Sequence, residues 1–315
     1  MNKNLNTFWT YVKIARPDHW IKQLFIFPGC FLAFFLNNTQ ISFSLAWIIL
    51  CGFISTNLIA SANYVINEYL DAKFDKFHPI KCKRPLVSKN ISPLYILLEY
   101  VLLLTGGLLF AYYISPIIFK LEILLTIMGI IYNVQPIRSK DIPFLDVLSE
   151  SFNMAIRLLI GWFLITTMYL PPISIILGYW FAGSYLMAVK RYSEYKMINN
   201  KKAVSQYRKS FKYYTEHSLL LQSFFYALIS VFFIGIFLIK YKIELILVIP
   251  FICILFCYYF YLSFSKDSAT QSPEKLYKEK FLIIYIFFIS LISIGLLFAH
   301  IPHLHIFLDN KLIGI

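Results

Sequence analysis

The stretch GFISTNLIASANYVI (52–66) runs without a break into NEYLDAKFDKFHPIKCKRP (67–85). A mostly apolar segment thus ends in Asn67, Glu68, Asp71 and Asp75, followed by His78 and the cations Lys81, Lys83 and Arg84. The fold turns on why a hydrophobic segment carries acids, a histidine and a basic cluster at its mouth. Composition gives the setting. The 315-residue chain is 59% hydrophobic, 19% aromatic and 14% charged, against roughly 45–50% apolar and about 25% charged in soluble domains. Apolar runs near the ~20 residues needed to cross a bilayer recur along the whole chain. Nine are expected, at 20–37, 43–70, 93–113, 116–133, 144–168, 170–189, 219–240, 243–262 and 281–299. The expected fold is therefore all-α, a polytopic membrane bundle of about nine transmembrane helices. The first 22 residues do not read as a secretory signal, because no apolar core precedes Trp20 and no small-residue cleavage site follows.

The net charge of +13 raises the question of nucleic acid. Placement of the charges answers it. With the N-terminus and every even-numbered connection on one side, that side collects all the Lys and Arg except Lys120, Lys240, Lys242, Lys311 and the intramembrane Arg157. Such asymmetry follows the positive-inside rule, so the basic side is expected to be cytoplasmic, as in a bacterial inner membrane. The surplus charge then serves topology and anionic lipid rather than nucleic acid. Cys30, Cys51, Cys82, Cys253 and Cys257 show no zinc or redox spacing and read as ordinary buried thiols.

Outer connections are short, whereas three on the basic side are long: 71–92, 190–218 and 263–280. Loops held by a rigid scaffold are where function concentrates. In the first of them, Asn67, Asp71 and Asp75 fall at i, i+4 and i+8 and form one polar stripe on a helix. Like charges at this spacing repel by a few tenths of a kcal/mol, and more near lipid. Magnesium would offset that, since it takes oxygen ligands and commonly bridges carboxylates to phosphates. The alternative is a solvated helix end. Lys81, Lys83 and Arg84 suit a second anionic group, or a plain positive-inside patch. Pro79 and Pro85 keep the segment from continuing as helix.

Two further constellations lie downstream. Asp146, Glu150, Asn153 and Arg157 share one face of a helix expected to start at Pro143. A buried Arg157 needs a carboxylate from another span or a phosphate nearby; it reads as a binding residue or as half of a structural ion pair. Lys190, Arg191 and Glu194 close the sixth span, as a phosphate site or as a membrane-anchoring collar. The tail carries His300, His303 and His305, which read as a metal site or as an outer interfacial segment.

Asn67-Glu68-x-x-Asp71-x-x-x-Asp75 resembles the first aspartate-rich motif, N-D-x-x-D-x-x-x-D, of the UbiA superfamily of intramembrane prenyltransferases, with Glu68 in place of Asp. The resemblance implies one transmembrane catalytic domain over 1–315, with magnesium held by Asn67, Asp71 and Asp75. In standard members a D-x-x-x-D motif follows span six; here Lys190 and Arg191 stand in its first position. K-R-x-x-E, together with H-P-x-K-x-x-R-P (78–85), R-P-x-x-W-x-K (16–22) and K-x-x-P-x-x-D-V (140–147), resembles the polyprenyl-phosphate phosphoribosyltransferase branch. That branch implies transfer of a 5-phosphoribosyl group from phosphoribosyl diphosphate to a polyprenyl phosphate lipid. Lys81, Lys83, Arg84 and His78 would meet donor phosphates, unless His78 caps the turn before Pro79. Arg16, Lys22, Lys190 or Arg191 would hold the lipid phosphate, with Lys140, Asp146, Glu150, Arg157 and Glu194 completing the site. Prenyl transfer from a prenyl diphosphate to an aromatic or lipid acceptor is the alternative. A transporter fits less well, because most acids sit at helix ends rather than at the midplane. A homo-oligomer is compatible with all three readings.

Overall fold

The computed structural model describes residues 2–37, 39–40, 42–89, 91–198, 206–265, 268–271 and 273–305. The helices are α1 (Asn2–Ala15), α2 (Phe27–Asn37), α3 (Phe43–Asp75), α4 (Pro85–Ser88), α5 (Pro93–Ile114), α6 (Pro116–Asn133), α7 (Leu145–Ile165), α8 (Ile173–Ile198), α9 (Glu216–Tyr241), α10 (Ile249–Leu262), α11 (Lys280–Phe298) and α12 (Pro302–His305). Among the described residues nine helical stretches are long and apolar enough to cross a membrane, matching the expected architecture.

The boundaries follow local chemistry. Pro85, Pro93 and Pro116 open their helices, at a position where the missing N–H is no loss. The hydroxyls of Ser42 and Ser115 cap α3 and α6 by accepting from the N–H groups of Leu45 and Ile118. The first span runs over Phe8–Asn37 rather than 20–37. Within it α1 stops where Arg16 turns left-handed (φ 51°) ahead of Pro17, and 3-10 helix occupies Pro17–Ile26 before α2. Helix α3 extends five residues beyond the expected end at 70. At about 50 Å for its 33 residues, against a hydrocarbon core of ~30 Å, it carries the acid stripe clear of the apolar region. Helix α7 begins at Leu145 rather than at Pro143, because Phe144 sits at φ 65° between them.

The chain forms two compact units, Met1–Pro171 with Glu194–Ser218, and Pro172–Ser193 with Leu219–Ile315. In unit 1, Ile26, Cys30, Ile59, Ile118, Leu125, Ile156 and Ile160 build one core. Ile14, Val65 and Ile96 build a smaller one where α1, α3 and α5 meet. Helices α2 and α7 approach backbone to backbone at two glycines. A Cβ on Gly161 would strike the Ile26 carbonyl oxygen, and one on Gly29 the Leu158 carbonyl oxygen. In unit 2, aromatic rings pair: Tyr185 stacks on Phe256 at 4.6 Å, and Ser230 donates to the Gly178 carbonyl at 2.9 Å. Cys30 and Cys51 are buried as expected, but Cys253 and Cys257 are exposed on α10. Helices α10 and α11 bury little of their surface, which suits faces meeting lipid tails.

Gly161→Ala forces two backbones apart and should lower stability by about 1–3 kcal/mol. Gly295→Ala, with nothing within 4 Å of the new Cβ, should leave it unchanged. Thermal unfolding in detergent checks this pair; equal shifts would remove the close approach as the cause.

Candidate active site

Asp71 is the junction of the polar end of unit 1. Its Oδ1 accepts from Arg138 Nη2 at 2.7 Å and pairs with Lys140 Nζ at 2.5 Å. Lys140 also donates to Asn133 Oδ1 at 2.7 Å, which accepts from Asn67 Nδ2 at 2.8 Å as well. Arg138 Nη1 donates to the Asn133 carbonyl at 2.8 Å. The C-terminal residue of α6 therefore ties the α3 stripe to the 134–144 connection. Arg138 reaches its place with a left-handed backbone, φ 33°. Burial pulls Lys140 down to about 8, with Asp71 opposing the shift. Arg138 and Asn133 are site residues that sequence reading passed over. Their signal was the run YNVQPIRSK (132–140), in which only Lys140 was singled out.

The other stripe positions are anchored in the same manner. Asp75 Oδ2 accepts from Arg84 Nη1 at 2.5 Å. Burial disfavours the Arg84 charge, but Asp75 outweighs it and holds the guanidinium more firmly protonated than usual. Glu68, one residue off the stripe, accepts from Arg16 Nη2 at 2.7 Å and from the Leu86 N–H at 3.4 Å. Arg16 is thereby engaged with Glu68. Lys22 Nζ lies 3.2 Å from His19 Nδ1, and Lys83 is exposed.

His78 caps its own turn: Nδ1 accepts from the N–H groups of Ile80 (3.1 Å) and Lys81 (3.2 Å). A ring nitrogen that accepts two N–H bonds carries no proton, so the proton is on Nε2. That N–H is buried and has no partner among the described residues. Burial, then the Lys81 charge, push His78 down to about 3, so the ring is neutral. Lys81 Nζ pairs with Glu194 Oε1 at 2.9 Å and with the Tyr207 hydroxyl; burial lowers its basicity despite Glu194.

Asp146 is fully buried and pins the 206–214 segment. Its Oδ1 accepts from the Tyr214 hydroxyl at 2.6 Å and its Oδ2 from Ser210 Oγ at 3.2 Å, with Arg208 Nη1 at 3.6 Å. The Tyr214 oxygen in turn accepts the Phe144 N–H at 2.6 Å, which supports the left-handed residue before α7. Glu150 Oε2 accepts from the Tyr132 hydroxyl (2.6 Å), which also accepts from Arg208 Nη1 (3.1 Å). Arg208 is half-buried, and the surrounding hydroxyls and acids keep it charged. Tyr132, Tyr207, Arg208, Ser210 and Tyr214 were legible only as parts of the segments 132–162 and 190–218. Arg157 is half-buried and donates from Nε to Gln23 Oε1 at 2.5 Å. Lys190 and Arg191 belong to unit 2, and Arg191 is buried.

The stripe fits magnesium. Asn67, Asp71 and Asp75 each have one polar atom anchored by the protein, and among the described residues their remaining oxygens accept no hydrogen bond. Hard oxygen donors held in place from behind are what Mg2+ requires.

An acid stripe and converging cations thus stand at the polar end of a helical bundle whose spans are long and apolar enough to cross a membrane. Residues 25–300 match the UbiA prenyltransferase family, and the chain belongs to that family. A UbiA homolog from Archaeoglobus fulgidus bound to GPP and Mg2+ has a TM-score of 0.66 at 20% identity, covering 89% of this chain and 99% of that one. The same homolog bound to DMAPP and Mg2+ has a TM-score of 0.64 at 20% identity, with coverages of 89% and 99%. The nodulation protein NoeC of Azorhizobium caulinodans is 26% identical over 215 residues, which span 68% of this chain and 66% of NoeC. The expected Mg2+ agrees with the magnesium in both solved homologue complexes.

These findings correct the expectation of phosphoribosyl transfer. The relatives that share the fold were solved with GPP and DMAPP, which are prenyl diphosphates. In the structure the cations of the H-P-x-K-x-x-R-P run pair with the protein's own acids, Lys81 with Glu194 and Arg84 with Asp75. His78 is a turn cap.

Two outcomes follow from this wiring. Arg84→Ala and Asp75→Ala should each destabilise by about 3–5 kcal/mol, by leaving a buried charge unpaired, and the double variant by clearly less than their sum; chemical unfolding of the four proteins tests it. Asp146→Ala should speed amide hydrogen exchange across 206–214 while exchange in α5 stays unchanged. A uniform increase would mean that Asp146 holds the whole unit rather than this segment.

Proposed function

We propose that the protein transfers a prenyl group from a prenyl diphosphate to a membrane-soluble acceptor, with Mg2+ held by Asn67, Asp71 and Asp75. The observation that carries this reading is the stripe itself: three oxygen-bearing side chains, each anchored through one atom, beside Arg138 and Lys140. Magnesium bound there would neutralise diphosphate charge and favour its departure.

The residues of this chain do the rest. Departure of the diphosphate breaks the allylic C–O bond and leaves two negative phosphoryl groups to be stabilised. Arg138 and Lys140 can exchange Asp71 for phosphate oxygens, since lysine and arginine bind both through the same charge-assisted bonds. Arg208, kept cationic by its neighbours, adds a fixed positive charge. The neutral Nε2–H of His78 offers a donor without giving up a proton. With one acid stripe rather than two, these cations would supply the positive charge that a second metal ion would otherwise bring. The acceptor is then released from charge constraints at this point and needs only to reach it from the bilayer, which makes a lipid or a lipid-soluble aromatic compound the fitting class. The basic connections support a reading in which this chemistry occurs at the cytoplasmic face.

The test uses detergent-purified protein with labelled GPP or DMAPP and lipids extracted from its own membranes. Label should pass into the lipid fraction with Mg2+ and not with EDTA, and Asp71→Asn should slow transfer by at least about 10²-fold, as expected when a group stabilising developing charge is lost. Failure of both diphosphates to bind in Mg2+, or undiminished transfer by Asp71→Asn, would overturn the proposal.

A further inference from the structure

A second group of ligand-type side chains lies in unit 2, on residues that the acid stripe does not share. Glu244 stands in the 3-10 turn Ile243–Val248 that leads into α10, while His300 lies between α11 and α12 and His305 is the last residue of α12. Among the described residues Glu244, His300 and His305 are the group of three His, Cys, Asp or Glu whose ligand atoms come together, all within 4.8 Å of one another. His305 Nε2 is 3.1 Å and His300 Nδ1 is 3.6 Å from the same oxygen, Glu244 Oε1.

Those separations have a chemical meaning. Donors bound tetrahedrally at ~2.0–2.1 Å from one ion lie about 3.3 Å apart, so the two contacts bracket the edge of such a polyhedron. The carboxylate is held for the purpose. Its Oε2 pairs with Lys242 Nζ at 3.3 Å, and that lysine donates onward to the Ala299 carbonyl at 2.8 Å. The Ile301 N–H at 3.3 Å fixes the following turn to Oε1. Glu244 is buried, whereas the two imidazoles are partly open to the surroundings. The arrangement therefore leaves a coordination position for water. Two imidazoles and one carboxylate do not suit magnesium, which takes oxygen; they suit zinc and its first-row neighbours.

We propose that Glu244, His300 and His305 bind a divalent ion of the zinc class, which clips the turn before α10 to the segment after α11. The site is independent of prenyl transfer, and its test does not require turnover.

The experiment titrates tag-free, full-length protein in detergent with Co2+ as a spectroscopic probe, in excess Mg2+ so that the oxygen stripe does not compete. One Co2+ per chain should bind, with a ligand-field spectrum of nitrogen and oxygen donors and no thiolate charge-transfer band. Loss of even an outer-shell partner weakens metal sites about 10–100-fold, so His300→Ala, His305→Ala and Glu244→Gln should each weaken binding at least about tenfold. His303→Ala should not. His305→Gln keeps a polar side chain on the turn, and should lose the metal while its metal-free melting temperature stays at the wild-type value. Zn2+ should raise the melting temperature of wild type but not of the His300→Ala/His305→Ala double variant. No saturable Co2+ binding by wild type, a thiolate band, or binding that survives in the double variant would overturn the proposal.

Discussion

The polar end of unit 1 depends on one carboxylate oxygen shared by two cations. Asp71 Oδ1 takes both Arg138 and Lys140, and Asn133 ties that pair to Asn67 and to the end of α6. Asp141 Oδ2 stands 3.2 Å from Arg138 Nε, so the two bases of the junction face two acids. The junction also accounts for the backbone at Arg138. A left-handed residue other than glycine costs about 1–2 kcal/mol, and here the side chain so placed makes bonds to Asp71, to the Asn133 carbonyl and to Asp141.

The acid stripe is stable for the same reason. Three carboxylates within two helical turns would repel one another at the edge of a membrane, but each has its own cation: Glu68 has Arg16, Asp71 has Arg138 and Lys140, and Asp75 has Arg84. The partners come from three different connections. Forming the stripe therefore requires the α1 end, the 76–89 segment and the 134–144 segment to be in place together. A second layer repeats the logic. Buried Asp146 gathers Tyr214, Ser210 and Arg208, and through Tyr214 it also fixes Phe144 at the start of α7.

This economy of charge bears on the donor. A basic run reads as a phosphate pocket when it is met as a string of letters. In the folded chain Lys81 and Arg84 pair with Glu194 and Asp75, just as Arg138 and Lys140 pair with Asp71. The solved relatives that share the fold carry GPP and DMAPP.

The sequence by itself determined the number of the spans and the acid stripe, because each is a local property. Apolar length sets a span, and a four-residue step sets a stripe. It also held the family, through Asn67, Asp71, Asp75 and the motifs around them. What it did not determine was which charge answers which. Arg138 meets Asp71 across 67 residues and Lys81 meets Glu194 across 113, and several cations could equally have served each acid. His78 illustrates the difference: the letters H-P allow a phosphate ligand or a turn cap, and in the fold its Nδ1 caps the turn through the N–H groups of Ile80 and Lys81. The convergence of Glu244 with His300 and His305 is of the same kind, a product of how α9 hands over to α10 and where α11 ends. Ion pairs and ligand sets are decided by packing, since only packing brings distant segments within the few ångströms over which a hydrogen bond acts.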